Sequence, residues 1–453
     1  MLISKLSDNL SRCHPFSYAH SGLVAIMRKK IPVIELRKGM YVAELDRPWI
    51  GTPFLFQGFE VIDDDQIEEL RSCCQFVFID TEKEISDYTP ARKSTGRATS
   101  HTQRFSEHDP LSALEFKLLK KSAPSDHAEH RYRDEIPLED EISSAREVES
   151  RGRELIYSIM DDVRLGRSIA SAEAKKVVAQ LVESVVRNPD ALVWLTQLKN
   201  QDEYTALHSI RVCILALTFG RHLELPPEHL NILGIGALLH DIGKLKIPDE
   251  ILNKPARLTD AEYTIIKTHV PLGVKLLEST SGIPAAAIEV TGRHHERYSG
   301  QGYISGYSGD NIGLFGMMGA IVDCYDAITS DRSYQAGISP YDALALLYKG
   351  RNTDFHTGLV EQFIQCMGIY PIGSIVEMSS GSVGVVVSIN RARRLRPMVA
   401  LVLNADKQPY TPSIVVDLFA PPLDGAGRPL EIKRIVPAGT YDINPSAYLP
   451  IAR

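Results

Sequence analysis

The chain has 453 residues, of which 44% are hydrophobic and 24% charged, with a formal net charge of −7. That is the composition of a soluble globular protein of two or three domains. The acidic balance argues against a non-specific binder of nucleic-acid polymers or anionic membranes, and no stretch approaches the roughly 18 apolar residues that span a bilayer.

Residues 1–30 read as a tail with no assigned function. The opening MLISKLSDNLSRCHPFSYAHSGLVAI lacks the parts of a signal peptide, which predicts a cytoplasmic location. Cys13, Cys73, Cys74, Cys213, Cys324 and Cys366 form no CxxC pattern and suit reduced thiols in that compartment. Residues 31–82 predict a small β-rich domain. VIEL, GMYVAEL, FLFQGF and FVFID are short, β-branched or aromatic, and cut by Gly and Pro, with one helix in IDDDQIEELRS. Residues 83–141 mix Ser, Thr, Pro, His and both charges and read as a linker.

From 142 to 369 apolar residues recur at helical spacing, in SAEAKKVVAQLVESVVRNP, HSIRVCILALTFGRHL, IPAAAIEVTGRHHE and LFGMMGAIVDCYDAIT. Thr259 and Glu262 are spaced as a capping box opening a single helix through YTIIKTHVPLGVKLL. Residues 370–453 return to short strands, SIVEM, SVGVVVSI, MVALVL and SIVVDL, a small β appendage. The fold class is therefore mainly α: a helical bundle with a small β-rich N-terminal domain and a short β appendage at the C-terminus.

Chemistry concentrates in the helical part. His240 and Asp241 end an apolar helix ahead of Gly243, a favoured helix stop. Adjacent helical residues point about 100° apart, so the pair can meet a metal from two directions. Imidazole with carboxylate suits Zn, Fe or Mn better than Ca or Mg. His208 shares a face with Val212, Leu215, Ala216 and Phe219; His269 lies among Ile265, Ile266, Leu272 and Leu276. Asp323 shares a face with Gly316, Gly319 and Ala320, small residues that admit a neighbouring backbone. His294 and His295 are adjacent and precede Glu296. Taken singly, each histidine suits a hydrogen-bonded core position. Taken together, on inward faces of successive helices, they are explained by one shared metal cluster.

HDIGKLKIPDEILNKP, HVPLGVKLL, HHERYSGQGY and DCYDAITSDRSY, in that order between Tyr204 and Phe363, resemble the HD-GYP branch of the HD phosphohydrolase superfamily. VIELRKGMYVAELDRPW resembles a small domain of unknown role that often precedes it. The resemblance implies an all-helical HD-domain bundle with two divalent ions, Fe or Mn. One ion would be held by His208, His240, Asp241 and Asp323; Asp241 would bridge to a second held by His269, His294 and His295. Some members hold a third ion through a carboxylate four residues before the first histidine. Tyr204 stands there, with Glu203 one residue out of register, so two ions are expected. The implied reaction is hydrolysis of cyclic di-GMP to pGpG or GMP, with a metal-bridged hydroxide attacking phosphorus in line. Lys244, Arg332, Gly302 and Tyr303 are the expected substrate contacts. For Lys244 a solvated surface position is the competing reading, and for Tyr303 a purely structural role is equally compatible.

Four positions depart from the family pattern: Ile304 stands for the signature proline, Ser299 for an aspartate, Gln335 for a cation, and Phe355–His356 for a Phe–Asp pair. They predict altered nucleotide binding beside an intact metal site. Two alternatives follow: a hydrolase of another cyclic dinucleotide, or a metal-containing sensor with slow or absent turnover. The N-terminal domain reads as a structural cap that aids homodimer formation or as a sensory unit, and signalling proteins are the expected partner class.

Overall fold

The computed structural model describes residues 28–46, 59–61, 64–80, 132–197, 204–254, 256–331, 337–391, 393–424, 427–437 and 439–448. Two units divide between Glu107 and His108.

In the first unit, strands β1 (Arg28–Pro32), β2 (Tyr41–Leu45), β3 (Phe59–Glu60) and β4 (Phe76–Asp80) form an antiparallel sheet in the order β1-β4-β2-β3. A helix at Asp64–Cys73 joins β3 to β4 in sequence. Val77 and Ile79, alternate residues of β4, join Ile31, Val42 and Leu70 in the core. VIEL is not a strand. Val33–Glu35 is a 3₁₀ turn, and the strand before it begins inside the segment read as a tail. Pro32 has no N–H to give a ladder, so pairing ends there and the Val33 N–H donates to the Gln75 carbonyl at 3.1 Å. Of FLFQGF only Phe59 lies within the described residues.

The second unit is a helical bundle followed by a sheet. Its first helix, Leu138–Arg164, begins ahead of residue 142 and buries Leu138. Helices at Ser171–Arg187, Pro189–Thr196, Tyr204–His222, Pro227–Leu239, Ala285–Arg293, Leu314–Thr329, Pro340–Lys349 and Thr357–Met367 build the bundle. Trp194, Phe219, Phe315, Tyr325 and Phe363 are fully buried in it, and Phe363 meets Phe219 and Tyr325 edge-on, each at 5.2 Å between centroids.

The capping box of Thr259 and Glu262 forms, but it opens a short helix, Asp260–Lys267. A second helix, His269–Glu278, follows after a break at Thr268, where one continuous helix was expected. Pro271 explains the break: it cannot donate to the Lys267 carbonyl, and its ring crowds that carbonyl. In the first turn of a new helix the missing N–H costs nothing.

Strands β5 (Ile375–Met378), β6 (Val383–Ser388), β7 (Met398–Leu403), β8 (Pro409–Asp417) and β9 (Ile432–Val436) form an antiparallel sheet in the order β8-β7-β6-β5-β9. Strand β9 was not anticipated. It is an edge strand reading IKRIV, mostly solvated on its polar positions, and so lacks the apolar run of its neighbours. Asp190 in the bundle ties the sheet down: it accepts from Ser388 Oγ (2.7 Å), from the Ile389 N–H (2.8 Å) and from Arg391.

Candidate metal centre

Three glycines bring the helices close enough for their side chains to meet. A Cβ on Gly236 would lie 2.5 Å from the Ala287 carbonyl oxygen, one on Gly319 would lie 2.8 Å from Val290, and one on Gly316 would lie 2.8 Å from Arg293. The helices carrying His240, His294 and Asp323 therefore touch along small residues, as the glycine pattern around Asp323 led one to expect. Gly243 has a different reason from the helix stop proposed for it. It sits within a 3₁₀ turn, Ile242–Lys246, and a Cβ there would meet the His269 carbonyl oxygen at 1.9 Å. The glycine lets the His240–Asp241 turn press against the start of the His269 helix.

The seven predicted ligands come together as one group of Asp241, His269, His294 and His295 and another of His208, His240 and Asp323. Asp241 joins them. Its Oδ2 lies 3.3 Å from His240 Nε2 and 3.6 Å from His208 Nε2, and its Oδ1 lies 3.3 Å from His269 Nε2 and 3.7 Å from His294 Nε2. Asp323 Oδ1 lies 3.0 Å from His208 Nε2 and 3.7 Å from His240 Nε2.

The outward nitrogens are committed. His240 Nδ1–H donates to the Ala237 carbonyl (2.8 Å), His269 Nδ1–H to Ile266 (2.7 Å) and His294 Nδ1–H to Thr291 (2.9 Å). That sets the tautomer and turns each Nε2 lone pair inward. Yet His240, His269 and His294 Nε2, His295 Nδ1 and Asp241 Oδ1 are buried with no hydrogen-bond partner. A buried polar atom left unsatisfied costs about 1–3 kcal/mol, so five converging on one spot mark a place built for a cation. The donor set, imidazole with carboxylate, fits a divalent transition metal.

The electrostatics agree. Burial alone would raise the Asp241 pKa, but Lys244 and His240 hold the carboxyl well below its ordinary range. Burial opposes a charge on Asp323 too, and His208 and His240 outweigh it. Burial pushes His269 down to about 4, and burial with the neighbouring His294 pushes His295 well down, so both present neutral lone pairs. His240 goes the other way: burial opposes protonation, but Asp241 and Asp323 lift it to about 10. The half of the centre holding both carboxylates draws positive charge.

Of the expected substrate contacts, Lys244 donates to Asp241 Oδ2 and is a quarter exposed at the rim. Gly302 packs on backbone: a Cβ there would lie 2.4 Å from Glu296 Cα. Tyr303 stacks on His295, with ring centroids 4.6 Å apart and planes 27° from parallel. The stack gives Tyr303 a structural role beside the expected substrate contact. Arg332, Gln335 and Glu203 lie outside the described residues, as does the Tyr204 side chain. Ser299 sits in the loop after the histidine pair, and its N–H donates to the Thr353 carbonyl (2.8 Å). His356, where the family has aspartate, accepts the Leu359 N–H at 3.2 Å and caps the Thr357–Met367 helix, a task either side chain can perform.

Two further residues emerge only in three dimensions. Buried Glu296 accepts the N–H groups of Ser305 (2.8 Å) and Gly306 (3.1 Å), holding the loop that carries Tyr303. Buried Asp326 accepts from His208 Nδ1 (2.7 Å) and Arg211 Nε (2.8 Å). Its position three residues after Asp323, on the same helix face, was the available signal.

Comparison with known proteins divides the chain into three matched stretches, the first of which runs past residue 83 into the helix Leu138–Arg164. An HD domain model matches residues 187–357. A domain of unknown function matches residues 28–174, and a KOW domain associated with the HD domain matches residues 375–421. A cyclic di-GMP phosphodiesterase of Pseudomonas aeruginosa is 35% identical over 394 residues, 86% of this chain and 89% of that protein. A cyclic di-GMP phosphodiesterase response regulator of Xanthomonas campestris is 31% identical over 223 residues, 49% of this chain and 58% of its own. A 3′3′-cGAMP-specific phosphodiesterase of Vibrio cholerae is 35% identical over 150 residues, 33% of this chain and 32% of its own. Among solved structures, an HD-GYP-type protein of Bdellovibrio bacteriovorus aligns over 74% of this chain and 98% of its own at 14% identity, with a TM-score of 0.43.

Proposed function

The chain belongs to the HD-GYP family of HD-domain phosphodiesterases, and from that premise we propose that it hydrolyses cyclic di-GMP to pGpG or GMP at a centre of two divalent ions, Fe or Mn. The observation that carries this reading is the Asp241 carboxylate, whose two oxygens face two different sets of histidines. A bridging carboxylate is the economical way to hold two cations close together with few charges.

In this reading His208, His240 and Asp323 would hold one ion and His269, His294 and His295 the other, with Asp241 available to both. When bound, the ions supply Lewis acidity toward the phosphodiester and acidify water at neutral pH. The chain's own residues do the rest. The Nδ1–H bonds to backbone carbonyls keep the imidazoles aimed inward. Tyr303 covers His295 and restricts its ring. Asp323 keeps a partly exposed side chain, 14% accessible, which leaves a way for substrate to approach on that side of the centre. Lys244 stands at that rim, a quarter exposed, with its charge toward Asp241, where its ammonium group would be within reach of a phosphate oxygen.

Anaerobic turnover of cyclic di-GMP by Fe(II)- or Mn(II)-loaded protein tests the reading, with Asp241→Ala alongside. Linear product from the wild type alone supports it. Intact substrate at two ions per chain refutes the hydrolase and favours a sensor. A second reading, hydrolysis of a mixed GMP–AMP ring, is supported by the 35% identity to the cGAMP-specific enzyme. A substrate panel in which only cyclic di-GMP is turned over would eliminate it. We place the enzyme in the cytoplasm, where thiols such as buried Cys213 and Cys366 stay reduced. Among the described residues no helix is long and apolar enough to cross a membrane. Self-association of the chain belongs to the same reading and is tested by sedimentation.

A further inference from the structure

The two halves of the centre are supported differently. His240, His269 and His294 give Nδ1–H to backbone carbonyls, which are neutral acceptors. Among the described residues, His208 is the ligand histidine whose Nδ1 meets a carboxylate: Asp326 Oδ2 at 2.7 Å. Asp326 is 2% exposed, and its other oxygen accepts from Arg211 Nε at 2.8 Å, with Arg211 Nη2 3.2 Å from Oδ2. A carboxylate behind an imidazole pulls on the Nδ1 proton and makes the opposite nitrogen a stronger donor. The arrangement is a built one, because a carboxylate this deep is costly unless paired, and Arg211 supplies the pair from the same helix that carries His208, one turn on.

Resting on the two-ion reading above, we propose that Asp326 is a positioning residue that makes the two ion sites inequivalent. The His208–His240–Asp323 site is the tighter and fills first; the His269–His294–His295 site fills second and exchanges more readily. Three features point the same way. The first site has its own carboxylate, Asp323, besides its share of Asp241. It has the histidine strengthened by Asp326. The second site has three imidazoles backed, where their Nδ1 is bonded, by neutral carbonyls. Asp326 touches neither ion nor substrate; it acts through His208.

Equilibrium dialysis of the metal-free full chain against Mn(II), with free ion read from its EPR signal, tests this without any assay of turnover. The wild type should bind two ions in resolved steps. Asp326→Asn keeps the shape and one acceptor oxygen but loses the charge, and should weaken the first ion by roughly 10–100-fold while leaving the second in place. In a His295→Ala background, where the first site is intact, Asp326→Asn should cause the same loss. In a His240→Ala background it should change nothing. The double variant Asp326→Asn/Arg211→Gln removes both members of the buried pair and should show the same loss of the first ion; it serves if Asp326→Asn alone does not fold. Equal affinities in Asp326→Asn and wild type, or a loss confined to the His240→Ala background, would overturn the proposal. A wild type that binds no stoichiometric Mn(II) would instead overturn the two-ion reading beneath it.

Discussion

Gly302→Ala adds one methyl group and is expected to disable the centre from outside its ligand set. The new Cβ would lie 2.4 Å from Glu296 Cα, 2.5 Å from Arg297 N and 2.6 Å from the His295 carbonyl oxygen. All three are backbone atoms, so no flexible side chain can give way. Carbon contacts settle at about 3.5 Å or more, and the loop must therefore retreat by about 1 Å or push the histidine pair aside. Overpacking of this kind costs roughly 1–3 kcal/mol, and separating the Tyr303 ring from His295 costs about 0.5–1.5 kcal/mol more. A displacement near 1 Å at a reacting centre lowers turnover on the order of 100-fold. The assay is kcat/KM for cyclic di-GMP with metal content measured on the same sample, beside a thermal melt. Tyr303→Phe, which keeps the stacked ring, is the control and should remain close to wild type. Gly302→Ala with unchanged kcat/KM and an unchanged melt would refute the claim that close backbone packing, and not a flexible loop, explains the glycine.

Other perturbations separate the supporting layers. Glu296→Ala strips the acceptor from the Ser305 and Gly306 N–H groups and should cost about 1–3 kcal/mol; faster proteolysis within 303–307 is the readout, and a loop as resistant as wild type would count against this role. Asp190→Ala leaves Ser388 and the Ile389 N–H without their acceptor and Arg391 with Asp134 alone and should destabilise the chain by about 1–3 kcal/mol, read by denaturant unfolding with metal content unchanged. Chelation should lower the melting temperature, because ions that bind only the folded chain at 100 times their Kd add roughly 2.7 kcal/mol each; a melt insensitive to chelator would mean that folding and metal binding are not linked.

How much could be read from the sequence followed the distance over which each feature is decided. His240 with Asp241, and His294 with His295, are neighbours in the chain, and His208 and Asp323 sit on helices whose apolar period marks the inward face; His269 opens a new helix after the Thr268 break, and Ile265, expected on its face, is exposed. Their convergence needed only that the helices pack, and Gly236, Gly316 and Gly319 secure that. The helix break at Thr268 was also written locally, in Pro271, but the capping box and the long apolar period outvoted it. Strand β9 was hidden because an edge strand with solvated Lys433 and Arg434 lacks the apolar run that marks a strand. What could not be read was which polar group meets which. Asp323 and Asp326 share a helix face, yet one points at the ligand nitrogens of His208 and the other at its back. The difference is set by where the Tyr204–His222 helix lies against the Leu314–Thr329 helix, and by Arg211, one turn beyond His208, which claims the second carboxylate. The same holds for the packing of Tyr303 on His295, which depends on Gly302 letting the loop sit directly on the histidine backbone. Local chemistry thus names the ligands, while the order in which they fill and how firmly they are held depend on contacts between segments more than 100 residues apart, such as His208 with Asp326.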